Sequence, residues 1–358
     1  MSIKTRNKIL NLFVRVGISI TILTVLVTRI DFHDIKESLI NTNHTVLIIG
    51  ILIYTLSQVL SAYKWKLIAN NAGFSNKLKE YIDYYFVGLF FNLFLPTTVG
   101  GDISKAYYLS KHDLQNRKAP AIYSVLAERY SGVVVIVWLG TFILFTPLGN
   151  PVPAVFKVLM SFLTILIFII TPAFPAFWMQ FFKRKKWVRT MLRDIRAYWS
   201  NPKLVVKVIY WSVLYHMLVL GIHLLIGSAM GIKVPVGYYI MAYTMASMAG
   251  FLPVAFNGIG PREWAYIYFL SFAGVKESDA LIFSIFWFGI ILSSSLFGGI
   301  FYLKGQLLPA PNEFDNESDL ETDEADCSLE TPFLASSQAN AENIIITETG
   351  VNKIESAI

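Results

Sequence analysis

The residues best equipped for chemistry are charged groups set inside apolar sequence. Glu128 and Arg129 stand together in AIYSVLAERYSGVVVIVW, about nine residues into a candidate membrane helix. Asp102 and Lys105 follow the glycine pair Gly100 and Gly101 in FLPTTVGGDISK, and Arg262 and Glu263 follow Asn257, Gly258 and Gly260 in FLPVAFNGIGPREW. Arginine is a planar fork of five donors suited to bidentate recognition of phosphate. Glycine permits positive φ and a close backbone approach, and N–H groups at a helix start favour an anion. Asp102 is a candidate N-cap with Lys105 one turn on, and Pro261 suits a first helical turn. The expected chemistry is anion binding by Lys105, Arg129, Arg262 and loop N–H groups. Asp102, Glu128 and Glu263 would position those cations, with Lys105, Arg129 and Arg262 all open to Glu263 as partners. The competing reading is structural: a capped turn at Gly100–Asp102 and an ion pair that locks helices at Glu128 and Arg129.

Adjacent helical residues point about 100° apart, so Glu128 and Arg129 each need a partner from elsewhere in the chain. His216 and His223 lie seven apart on one helix face and, with Tyr215, suit either a proton relay or a hydrogen-bonded packing role. No third ligand stands at metal spacing, so neither a metal nor any cofactor is expected. The one cysteine, Cys327, lies in a polar tail, which excludes disulfides and thiol chemistry in the apolar part.

These groups must be held by membrane-spanning elements. The 358 residues are 55% hydrophobic and 15% charged, with a mean hydropathy of +0.54, too apolar for an ordinary soluble domain. Apolar runs at 9–28, 46–62, 122–145, 152–170, 205–230 and 280–303 each suit roughly 30 Å of hydrocarbon. The first lacks a small-residue cleavage site and reads as a membrane helix rather than a signal peptide. Residues 305–358 hold twelve of the 24 acidic residues and one basic residue, Lys353, which leaves 1–304 with 29 basic against 12 acidic groups. The expected domains are therefore a polytopic 1–304 and a disordered acidic cytoplasmic tail at 305–358, either a solvated terminus or a segment that binds a soluble partner.

Basic residues collect on the cytoplasmic side. The segment 183–207 carries nine of them against Asp194, and reads as an orientation signal or as a basic interfacial helix for anionic lipid. That segment, the N-terminus and 64–79, with Lys64 and Lys66, are all placed inside. A full crossing at 81–95 would put Lys105, Lys111, Arg117 and Lys118 outside; a re-entrant hairpin turning at Pro96–Gly101 keeps them inside. The same reasoning makes 238–272 a second hairpin from the opposite face. Two such broken segments mark an inverted repeat whose hairpins line one wet cavity. The fold class expected is an all-α integral membrane protein of about six full transmembrane helices plus two re-entrant hairpins. The rival is eight full crossings with interfacial loops.

LPTTVGGDISKAYYL, LAERYSG and LPVAFNGIGPREWAY resemble the signature stretches of the lysylphosphatidylglycerol synthase transmembrane family, a flippase-like module, over roughly 9–303. The resemblance implies Gly100, Gly101, Asp102, Arg129, Gly258, Gly260, Arg262 and Glu263 as shared positions. Lys105 stands where an arginine is expected, which keeps the charge but loses the fork. Nothing after Leu303 resembles the aminoacyl-transfer domain, so lysine transfer is not an expected activity. The favoured function is movement of an anionic lipid between leaflets: a phospholipid, a polyprenyl phosphate or a phosphoglycolipid. The alternatives are a membrane transferase on a lipid phosphate and a non-catalytic subunit that recruits a partner through its tail. The expected setting is a bacterial inner membrane with both termini cytoplasmic, and anionic lipid rather than nucleic acid as partner.

Overall fold

The structure is a computed structural model, and it describes Thr24, Lys36, Glu37 and residues 40–94, 100–113, 116–181, 186–251 and 258–304. The expected span at 9–28, Thr24 apart, and the acidic tail lie outside the described residues, as do Pro96 and Asn257. Among the described residues there are ten α-helices and no strand: α1 His44–Asn71, α2 Leu78–Phe94, α3 Gly100–Lys111, α4 Lys118–Leu144, α5 Ala154–Phe181, α6 Lys186–Trp199, α7 Pro202–Ala229, α8 Val236–Phe251, α9 Pro261–Ser271 and α10 Glu277–Lys304. The protein is an all-α membrane protein. Helices α1, α4, α7 and α10 are long and apolar enough to cross a bilayer, and α5 adds the shorter apolar stretch Ala154–Ile169. At 1.5 Å per residue the four run about 40 Å, enough for a tilted span.

The order long, short, short, long occurs twice. Helix starts at 44, 78, 100 and 118 recur at 202, 236, 261 and 277, an offset of about 160 residues. Local signals repeat with them. Asn43 and Asn201 cap α1 and α7, each side-chain oxygen accepting a backbone N–H, from Thr45 at 3.1 Å and from Leu204 at 3.2 Å. Each helix then stops before a glycine with positive φ, Gly73 at 93° and Gly231 at 71°.

The two copies run in opposite directions. The N-terminal end of α1 meets the C-terminal end of α7, where the Asn43 N–H donates to the Ala229 carbonyl at 3.0 Å. At the other end Ile68, Tyr123, Tyr198, Leu204 and Val208 form one cluster, which joins the end of α1 to the starts of α4 and α7 and to α6.

Each short pair folds back on itself. Tyr84 near the start of α2 stacks on Tyr108 and approaches His112 near the end of α3, with ring centroids 6.0 and 5.5 Å apart. Arg117, just beyond, donates to the Gly73 carbonyl at 3.0 Å, so this hairpin begins and ends where α1 ends. The α8–α9 pair begins and ends at the opposite end: Tyr238 donates to the Pro151 carbonyl at 2.7 Å, and Phe156 packs on Phe269 and Phe272. Helices of 17, 12, 16 and 11 residues reach at most about 26 Å, short of roughly 30 Å of hydrocarbon. Among the described residues the short helices form two opposed pairs, α2–α3 and α8–α9.

Apolar side chains cover the outside as well as the core. Ile48, Leu52 and Leu56 on α1, Phe142 on α4 and Phe162, Ile165 and Phe168 on α5 are exposed. On a soluble protein such surface would drive association; against lipid tails it has no cost.

Candidate functional site

The α2–α3 crossing sets the depth at which α3 carries its charges. A Cβ on Gly101 would lie 1.9 Å from the Gly88 carbonyl oxygen, so only glycine allows the two backbones to touch. The Gly101 N–H is taken by Asn92 Oδ1 at 2.8 Å. That N–H is therefore a helix cap supplied by α2 rather than an open anion donor. Asp102 is the third residue of α3, inside its first turn, and not the N-cap.

From there Asp102 joins a five-membered ion cluster. Arg129 donates to Asp102 Oδ1 through Nε at 3.1 Å and Nη2 at 3.0 Å. Lys105 Nζ lies 3.0 Å from the same oxygen and 3.9 Å from Glu128 Oε2. Glu128 Oε1 is held by Lys64 at 3.0 Å, and the Lys64 ammonium also donates to the Glu128 carbonyl at 3.2 Å. The diverging neighbours Glu128 and Arg129 thus find separate partners on α1 and α3. Three cations face two carboxylates, a surplus of one positive charge. The side chains of Lys64, Lys105, Glu128 and Asp102 are 3, 2, 5 and 11% exposed, whereas Arg129 is 31% exposed. The surplus therefore has one open end, the Arg129 guanidinium. The Lys105 ammonium also sits 4.2 Å from the centre of the Tyr85 ring, a cation–π contact in a desolvated place.

The second hairpin holds a smaller set. Gly258 and Gly260 have positive φ, 72° and 101°, and lead into Pro261 at the start of α9. Glu263 Oε2 accepts the Gly260 N–H at 2.6 Å and its Oε1 accepts Arg262 Nε at 3.0 Å and Nη2 at 2.6 Å. Glu263 pairs with Arg262 and not with Lys105 or Arg129. The Arg262 guanidinium also lies 4.9 Å from the Phe288 ring centre. Its side chain is 11% exposed, against 31% for Arg129.

The two sets occupy equivalent positions. Asp102 and Glu263 are both third in their helices, Lys105 and Tyr266 both sixth, Tyr85 and Tyr243 both eighth, Glu128 and Trp287 both eleventh, and Trp65 and His223 both twenty-second. In the first copy the inner quartet is Lys105, Tyr85, Trp65 and Glu128. In the second it is Tyr266, Tyr243, His223 and Trp287, with His223 4.7 Å from the Tyr243 ring and 4.5 Å from the Trp287 ring. Where the first copy carries the ions Lys105 and Glu128, the second carries the rings of Tyr266 and Trp287.

Both buried histidines are hydrogen-bonded through both ring nitrogens. His216 Nε2 contacts the Gly132 carbonyl at 2.9 Å, and His223 Nδ1 the Val219 carbonyl at 2.8 Å, so those nitrogens donate. The remaining nitrogens accept from the hydroxyls of Tyr243 and Tyr266, at 2.8 and 2.7 Å. Tyr54 of α1 packs edge-on against Trp287, with ring centroids 5.3 Å apart.

Sequence reasoning missed Lys64, which it placed among the orientation charges at 64–79. The residue is buried two turns before the end of α1. A signal was present: Ser57, Gln58, Ser61 and Lys64 recur at helical spacing in an otherwise apolar run, and all four are buried. In a bilayer a polar stripe faces inward.

Comparison with known proteins agrees with the architecture. The family model for the lysylphosphatidylglycerol synthase TM region matches residues 12–298. A UPF0104 membrane protein of Methanocaldococcus jannaschii is 29% identical over 128 residues, 36% of this chain and 38% of that relative. The match thus spans well under half the length of the relative.

Proposed function

As this chain belongs to the lysylphosphatidylglycerol synthase TM region family, we propose that it moves an anionic lipid between leaflets, with Arg129 receiving the headgroup. The observation that carries this reading is the surplus positive charge of the buried cluster, which ends on the one member open to its surroundings. A charge entering low dielectric is costly unless it is paired. Asp102 is shared by Arg129 and Lys105, so a phosphate can take over Arg129 while Asp102 stays with Lys105. No cation is left bare at any stage, and the incoming negative charge balances the surplus. The opposed hairpins supply a gate on each side, and Arg262, engaged by Glu263, belongs to the gate rather than the headgroup site. The basic N-terminus and the 183–207 segment support a cytoplasmic side for both termini, and the proposed setting is a bacterial inner membrane.

The test is fluorescent phosphatidylglycerol in proteoliposomes, with dithionite reporting the outer leaflet. Arg129→Gln keeps the shape and removes the charge; losing a charged hydrogen bond to phosphate should slow translocation about tenfold or more. An Arg129→Gln protein of normal thermal stability that scrambles at the wild-type rate refutes the assignment.

A further inference from the structure

A cavity of about 420 Å3 lies between α4, α5, α6 and α7, and none of the five ion-cluster side chains lines it. It follows α4 from Tyr123 to Trp138, about 22 Å of helix. Its volume is that of a small-molecule site. Its walls are apolar: Ala127, Val134 and Trp138 from α4, Ile195 and Trp199 from α6, and Val205 from α7. Leu126 and Tyr130, which also line it, are exposed on the outer side of α4 and leave it open to the bilayer.

Helix α6 closes one end, and its two faces differ. Ile195 and Tyr198 turn into the cavity, while Arg193 and Arg196 are exposed. Arg193 is 68% exposed and contacts Asp194 at 3.4 Å, and Arg196 beside it is exposed. A basic face with a tryptophan at its edge fits the headgroup region of an anionic leaflet. An apolar slot running inward from that face fits the hydrocarbon below the same headgroup. We propose that the slot is a binding site for one acyl chain of an anionic phospholipid, with its headgroup on Arg193 and Arg196. The site does not depend on the transport reading, because none of its residues belongs to the ion cluster.

Trp138 at the inner end and exposed Trp264 on α9 are natural reporters. The protein is reconstituted in phosphatidylcholine vesicles doped with phosphatidylglycerol brominated on its chains, and each emission is isolated by difference from Trp138→Phe and Trp264→Phe. Quenching of Trp138 should saturate at a low fraction of brominated lipid, while that of Trp264 rises in proportion to it. Replacing Arg193 and Arg196 by glutamine should raise the half-saturating fraction about fivefold per residue. Filling the slot with Ala127→Leu and Val134→Phe should abolish the saturable part. If the filled protein fails to fold, the wild-type curve decides alone. Trp138 quenching that is absent, or that only tracks the bulk fraction, overturns the site. Saturation untouched by loss of both arginines overturns the anionic headgroup.

Discussion

Lys64→Met separates a buried ion from an orientation charge. At an effective dielectric of about 20, the 3.0 Å contact with Glu128 corresponds to roughly 5 kcal/mol of attraction, and the 3.9 Å contact of Lys105 with Glu128 to roughly 4 kcal/mol. Removing one partner of a buried pair costs about 3–5 kcal/mol, because the other charge stays in low dielectric. Lys105 remains to hold Glu128, although it also serves Asp102, so the expected loss is near the lower end, about 3 kcal/mol. In Lys64→Met combined with Glu128→Gln the orphaned charge is gone, and the double variant should return to within about 1 kcal/mol of wild type. Reversible unfolding in mixed micelles with increasing dodecyl sulfate, followed by tryptophan emission, reads these differences. A single variant within about 0.5 kcal/mol of wild type, the expectation for a solvated lysine, would refute the buried cluster.

Two other outcomes follow from local geometry. Gly101→Ala drives a methyl into the Gly88 carbonyl and should abolish monodisperse protein in size-exclusion chromatography. Gly132→Ala, whose new Cβ meets His216 Nε2 and Lys64 Nζ at 3.8 Å, should elute and melt like wild type. Burial raises the Asp194 carboxyl above the ordinary 3.8, with the neighbouring Arg193 opposing the shift. The folded state thus keeps its proton to higher pH than the unfolded chain, and ionisation costs stability as pH rises above 3.8 through the raised value. Asp194→Asn should raise the melting temperature at pH 7 and leave it unchanged below the ordinary value; a lower melting temperature at pH 7 would contradict this.

The repeat was legible in part. Pro96–Gly101 and Gly258–Pro261 mark the two breaks, because glycine and proline act through their own φ angles. The finer periodicity, Asn43 to Gly73 and again Asn201 to Gly231, was equally present in the letters and equally local. Lys64 was harder: by charge alone it is indistinguishable from Lys66, and only the helix phase puts it on the inner face. Equivalence of Lys105 with Tyr266 and of Glu128 with Trp287 had no legible signal, since ion and ring share no letter pattern.

Taken by itself, the sequence determined what depends on near neighbours: a membrane protein, the long helices and the two breaks. Hydropathy, proline and glycine act over a few residues, so no fold is needed to read them. Tertiary structure alone decided that Lys64 meets Glu128, that Arg129 rather than Arg262 is the open cation, and that one repeat carries ions where the other carries rings. The Lys64–Glu128 contact rests on a separation of 3.0 Å between residues 64 apart in the chain, and Coulomb energy in low dielectric depends on that distance and not on sequence order.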